Sequence, residues 1–246
     1  QLAVKQGAVG KALPQQFTQK AEEILRQGAA GFGEIAIQHL SLHGADHPYE
    51  NVPADHPLLM LLADIGAQHD VPVDVHFDVV TNDMPTPDWL LDSPNNPRVL
   101  HANLSAFERL LDHNPKTKIC WAHVGSDNTG HWTAELSRRL LQAHPNLYMS
   151  LRLGPGHAPE NFPLAPDGQI KPEWLRLLED FPDRFVVGGD NFIASPAFQG
   201  SGTAARLSSR TPASRHLTPV FLNALPPELA RKIAVENAVA IYKLKP

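Results

Sequence analysis

Apolar residues recur along this chain in two alternating rhythms, short unbroken or period-two runs that suit buried strands and broader stripes that suit one face of a helix. Phe17 to Gln27 reads as a helix closed by Gly28, and Gly31-Phe-Gly-Glu-Ile-Ala-Ile-Gln38 follows as a strand. Asp55 then reads as an N-cap with Pro57 just inside a helix, and Leu58, Leu59, Leu61, Leu62 and Ile65 form its apolar face. Ser105 and Glu108 have capping-box spacing, which predicts a helix through Arg109-Leu-Leu111 that stops near Asn114-Pro115. Further helices are expected from about Trp132 to Ala143, from Pro172 through Phe181, and from about Pro227 to Lys243.

Between these helices lie five predicted strands, at about 32–38, 72–77, 118–123, 146–151 and 185–190. Strand and helix alternate throughout, which is the order of βα units around a parallel sheet. The expectation is an α/β fold, a single (β/α)8 TIM barrel domain over residues 1–246 in which about five of the eight βα units are visible. Three long connections interrupt the rhythm, at 79–101, 153–171 and 191–216, each rich in Pro, Gly, Ser and Asn. Each follows a strand's C-terminal end, where barrel enzymes build their sites, so these loops are expected to form or cover a pocket. None of the three separates regions of different composition, which argues against a domain linker.

Composition narrows the classes of partner. The chain has 246 residues, 42% of them hydrophobic, enough for one sizeable core. Its formal net charge of −5 comes from acids and bases scattered along the sequence, so no basic face suits nucleic acid and no polybasic arm suits a membrane. A small-molecule substrate is the expected partner, and self-association is left open. No run approaches the ~20 apolar residues of a membrane span. Cys120 is the one cysteine, expected as a buried and inert thiol, which fits a cytoplasmic protein. The first residue is Gln1 and not methionine, so the natural start is expected to lie upstream.

Three strands deliver a metal-capable side chain at their ends: His76, His123 and Asp190. In Val73-Asp-Val-His-Phe-Asp78 the period of two puts Asp74, His76 and Asp78 on one face, and a polar row on a parallel sheet must be satisfied by partners or a metal. The same count groups Ile119, Trp121 and His123. A lone strand histidine is most often a satisfied core residue. Two imidazoles and a carboxylate at successive strand ends instead match the preferences of Zn²⁺ and related divalent ions.

On those residues the chain resembles the amidohydrolase superfamily, and more closely its amidohydrolase-related branch, family 2, which holds metal-dependent hydrolases, lactonases and nonoxidative decarboxylases. In that family the fifth and sixth barrel strands end in metal-binding histidines and the eighth in an aspartate, the order found at His76, His123 and Asp190. Ala122-His-Val-Gly125, Gly188-Gly-Asp-Asn-Phe192 and Glu236-Asn-Ala-Val-Ala-Ile-Tyr242 also look like family segments, and the resemblance runs from about residue 28 to 244. The resemblance implies that His76, His123 and Asp190 bind a divalent metal, most simply zinc, with His123 and Asp190 also catalytic. The family's first-strand His-x-His pair has no counterpart before Gly31, so the N-terminal part of the barrel is expected to be missing here.

Gly33-Glu-Ile35 is similar to a motif of metal-dependent deoxyribonucleases in the wider superfamily, which makes Glu34 a further ligand or a pocket-lining residue. Arg152 closes a strand and is expected to hold a substrate carboxylate or to pair with a loop acid, and Trp121 is assigned beside it as substrate-binding. His39, His43 and His47 recur every four residues across Gly44 and Pro48 and are expected at the surface or lining the pocket. Gly125-Ser-Asp-Asn-Thr-Gly130 reads as a βα turn in preference to an anion site. The expected activity is metal-dependent hydrolysis of a C–N or C–O bond in a small carboxylated or cyclic substrate. A nonoxidative decarboxylase on the same site and a noncatalytic binding barrel remain as alternatives.

Overall fold

A computed structural model describes residues 10, 12–42, 48–154, 156–190 and 213–245. After helix α1 (Leu13–Arg26) the chain enters β1 (Phe32–His39), then β2 (Glu50–Asn51), α2 (Pro57–His69) and β3 (Val73–Phe77). The first long connection folds into β4 (Met84–Pro85), α3 (Asp88–Leu91) and β5 (Val99–Leu100), and α4 (Leu104–His113) leads to β6 (Ile119–Val124). Next come α5 (Ala134–Ala143), β7 (Leu147–Leu151), α6 (Pro172–Asp180) and β8 (Phe185–Val187). Beyond them stand α7 (Ala213–Asn223), α8 (Pro227–Arg231), a π-helical turn (Lys232–Glu236) and α9 (Asn237–Tyr242). Among the described residues no helix is long and apolar enough to cross a membrane.

The sheet runs β2-β1-β3-β6-β7-β8, with β1, β3, β6, β7 and β8 parallel and the short β2 antiparallel on the outer side of β1. All five predicted strands are therefore present and pair in chain order, as successive βα units of a barrel wall must. The described strands form an open arc. Alternation explains which face each side chain takes: Val73, Val75 and Phe77 are buried against the helices, while Asp74 and His76 turn to the other face.

The main core lies between this arc and α2, α4, α5 and α6. Phe77 packs on Phe107 with ring centroids 4.7 Å apart, and Trp121 stacks on Trp132 at 3.9 Å with the planes 11° apart. Trp121 is fully buried there, and its indole N–H donates to the Phe77 carbonyl at 2.9 Å. That placement corrects its assignment as substrate-binding: a side chain locked between strands and helices has no face left for a ligand. Cys120 is fully buried on the opposite face beside Val186 and Ile241, where burial pushes its thiol pKa well up and keeps it inert.

Several predicted caps are reassigned because the capping side chains are engaged elsewhere. His56, not Asp55, caps α2, its Nδ1 accepting from the Leu58 N–H at 3.2 Å, while Asp55 takes the Arg109 guanidinium at 2.7 Å. Helix α4 begins one residue before Ser105, and Glu108 binds Arg139 at 2.7 Å instead of closing a capping box. The C-terminal helix passes through a π turn, and Asn237 there donates to the Pro182 and Phe185 carbonyls at 2.8 and 2.7 Å. That register ties the last helix to the start of β8. The first connection covers a satellite core of Leu40, Val80, Leu90 and Leu100, whereas residues 191–212 lie outside the described residues.

Trp121→Ala is expected to lower the unfolding free energy by roughly 3–5 kcal/mol, the cost of emptying a large buried aromatic site. Urea unfolding followed by circular dichroism measures it, and a loss below about 1 kcal/mol would place the indole outside the core.

Candidate metal centre

Three side chains from three strands meet on the face of the sheet opposite the main core. Glu34 Oε1 accepts from His76 Nδ1 at 2.7 Å, and Glu34 Oε2 accepts from His123 Nε2 at 2.9 Å. The two imidazole centroids lie 4.7 Å apart. Each residue reaches this point by a different local device.

His76 arrives by simple alternation along β3. Glu34 stands near the start of β1, whose last residue is His39. Its neighbour Gly33 lets β1 pass close to β3, since a Cβ there would meet the Cβ of Asp74 at 2.6 Å. His123 departs from the expected parity with Ile119 and Trp121. Its φ of 70° is left-handed, and the β6–β7 register slips between Trp121 and Val124, which turns the imidazole away from the core and toward Glu34. Asp190 also has positive φ, 47°. Such non-glycine conformations cost on the order of 1–3 kcal/mol each and persist where the surroundings over-determine them.

The electrostatics follow from this packing. Burial opposes the charge on Glu34, but the hydrogen bonds and positive charge of His123 and His76 outweigh it and hold the carboxyl far below its usual range. Burial likewise disfavours the His76 cation, yet its bonds to Asp78 and Glu34 raise its pKa to about 9. Asp78 is buried and would be pushed up by desolvation, but His76, the Leu40 N–H and Asn128 pull it down. Its Oδ2 lies 3.3 Å from His76 Nε2. His76 is therefore flanked by carboxylates on both nitrogens, and the group is an ion cluster that needs every member.

Asp190 and Arg152 stand beside this trio. Asp190 Oδ2 is 3.8 Å from His123 Nδ1 and 3.1 Å from Arg152 Nε, and Arg152 Nη1 donates to Ser126 Oγ at 2.6 Å. Asp190 thus faces the outer nitrogen of His123, away from Glu34. Of the pocket histidines, His39 packs edge-on to His76 with centroids 4.0 Å apart; His43 and His47 lie outside the described residues. The segment Gly125 to Gly130 is a βα turn whose N–H groups serve Asp127. That buried carboxylate accepts from Thr129 N, Gly130 N and Trp132 N at 2.9, 3.1 and 3.0 Å, and from Asn161 Nδ2 at 2.6 Å, binding this turn to the 153–171 connection.

The residues fit a divalent cation by donor chemistry. Glu34, His76 and His123 each offer one ligand atom, all within 4.8 Å of one another. Ligands about 2.0–2.2 Å from a zinc ion lie at most about 4.4 Å apart, so small side-chain rotations close the set. Sequence reasoning missed Asp78 and Asn128 as partners of the site. The polar row Asp74, His76 and Asp78 was the signal for the first; the second lies in a turn with no local mark.

A family model described as amidohydrolase matches residues 5–244. Among curated proteins, no relative matches. The uncharacterized TIM-barrel protein Bb4693 from Bordetella bronchiseptica superposes with a TM-score of 0.52 at 16% identity, over 94% of this chain and 63% of that one. Amidohydrolase 2 from Bifidobacterium longum subsp. infantis gives 0.40 at 11% identity, over 77% and 56% respectively. 2,6-Dihydroxybenzoate decarboxylase from Rhizobium gives 0.48 at 12% identity, over 94% and 68%. The first of these gives the fold, a TIM barrel, and the chain spans under two thirds of the length of the first two, 63% and 56%.

Because His76 is held protonated up to about pH 9, a cation entering between Glu34 and the imidazoles must displace a proton. Metal affinity is expected to weaken as pH falls, by about tenfold per unit for one displaced proton. Calorimetry of Zn²⁺ binding in buffers of different ionisation enthalpy reads the proton release directly; a pH-independent affinity with none released would overturn the ligand set.

Proposed function

Because the chain belongs to the amidohydrolase family, we propose that it is a metal-dependent hydrolase that cleaves a C–N or C–O bond, of amide or lactone type, in a small carboxylated or cyclic substrate. The convergence of Glu34, His76 and His123 on one point, with Asp190 held alongside by Arg152, is the observation that carries this reading. A divalent ion held by those three residues, most simply zinc, supplies Lewis-acid chemistry: it makes water more acidic and polarises a carbonyl.

The chain's own residues do the rest. Asp190 accepts a proton from the attacking water as the water oxygen adds to the carbonyl carbon. It then returns that proton to the leaving nitrogen or oxygen as the C–N or C–O bond breaks. Arg152 fixes the Asp190 carboxylate from one side while Ser126 fixes Arg152, so the proton acceptor is positioned before substrate arrives. About a third of the Arg152 side chain remains exposed, which leaves guanidinium hydrogens for a substrate carboxylate.

His76→Ala is expected to abolish stoichiometric metal binding, because it removes one donor and takes a partner from both Glu34 and Asp78. Asp190→Asn is expected to keep the metal and to lower turnover by roughly 10²–10⁴-fold, the usual worth of a positioned proton acceptor. Elemental analysis and a substrate panel of lactones, amides and aromatic acids check both. Metal retained in the first variant and activity retained in the second would refute the assignment, and released CO₂ from the acids would replace hydrolysis by decarboxylation on the same residues.

A further inference from the structure

Resting on the metal-site reading above, we propose that Asp78 is the positioning residue of this centre: it holds the Nε2 hydrogen of His76 and so presents Nδ1 to the point shared with Glu34 and His123. The geometry separates the two nitrogens by task. Nδ1 faces Glu34 Oε1 at 2.7 Å, and the other oxygen of the same carboxylate meets His123 Nε2 at 2.9 Å, which puts Nδ1 on the side of the shared point. Nε2 faces Asp78 Oδ2 at 3.3 Å.

Asp78 is fit to act as a fixed acceptor because its carboxylate cannot turn. Oδ2 also accepts from the Leu40 N–H at 2.9 Å, and Oδ1 accepts from Asn128 Nδ2 at 3.2 Å, within a buried setting. Its backbone carbonyl is held by Gln38 Nε2 and Asn103 Nδ2, both at 3.0 Å. A carboxylate anchored at both oxygens fixes the ring plane and the tautomer of the histidine it touches, and makes the other nitrogen a better donor. Asn128 extends the brace to the mouth. Its backbone carbonyl accepts from the exposed Trp89 indole N–H at 3.1 Å, and its side-chain oxygen lies 3.1 Å from His157 Nδ1. Both residues belong to the long connections that border the site.

Asp78→Asn is nearly isosteric and keeps an oxygen for the Leu40 N–H. That oxygen also serves His76 Nε2, so the change removes the negative charge behind the imidazole; it is expected to weaken Zn²⁺ affinity roughly 10–100-fold, the range found when such a supporting partner is mutated, while leaving the circular dichroism spectrum unchanged. Competition against a chromogenic chelator measures this on the intact chain. An affinity equal to the parent's would overturn the proposal while sparing the metal site, whereas a parent that binds no Zn²⁺ would remove both. A second readout needs no variant. Long-range ¹H–¹⁵N correlation of the Zn²⁺-loaded parent should show His76 protonated at Nε2 and metal-bound at Nδ1, and the reverse pattern would overturn the assignment.

Discussion

The site depends on one electrostatic constraint: a row of polar side chains on one face of a parallel sheet. Such a sheet, covered on both faces, ordinarily carries apolar residues on both, since a buried polar group without a partner costs several kcal/mol. Here Glu34, His76 and His123 answer the cost among themselves, with the carboxylate bridging two imidazoles at 2.7 and 2.9 Å. Asp78 completes the set on the far nitrogen of His76. Deleting Glu34 or Asp78 takes a partner from the poorly solvated His76, and deleting His76 takes one from the buried Asp78, so the cluster is held together by the same desolvation that makes it costly.

That arrangement explains where the backbone departs from regular geometry. A uniformly alternating β6 would point His123 at the helices, where Trp121 and Val124 already fill the core. The left-handed turn at His123 sacrifices local comfort to bring the imidazole across the sheet. Gly33 does the corresponding work on β1, where any side chain would collide with Asp74. Both irregularities flank one carboxylate, Glu34, which ties them to a single requirement.

How much of this was legible in the sequence follows from the range of the forces involved. The five strands, the βα order and the polar row of β3 depend on local periodicity and were read directly. Helix caps failed where a distant partner outbid the local one, as when Asp55 took Arg109 and Glu108 took Arg139. His76 and His123 were found by residue type, but the depth of Glu34 was not, because register between β1 and β3 is a tertiary property: Ala36, not Glu34, pairs with His76. Trp121 was misassigned because parity cannot foresee a left-handed residue two positions on.

The two carboxylates near His123 have been given different surroundings, and the difference divides their chemistry. Glu34 sits between two imidazoles, its proton affinity so depressed that it is a permanent anion, suited to holding a cation and useless as a proton acceptor. Asp190 stands on the opposite side of the same ring against a guanidinium that is itself braced by Ser126, with about a third of its side chain exposed. In the proposed reaction Asp190 takes and returns a proton, a role that needs access and a fixed position. Oδ2 of Asp190 makes the ion-pair contacts to Arg152 and His123, at 3.1 and 3.8 Å.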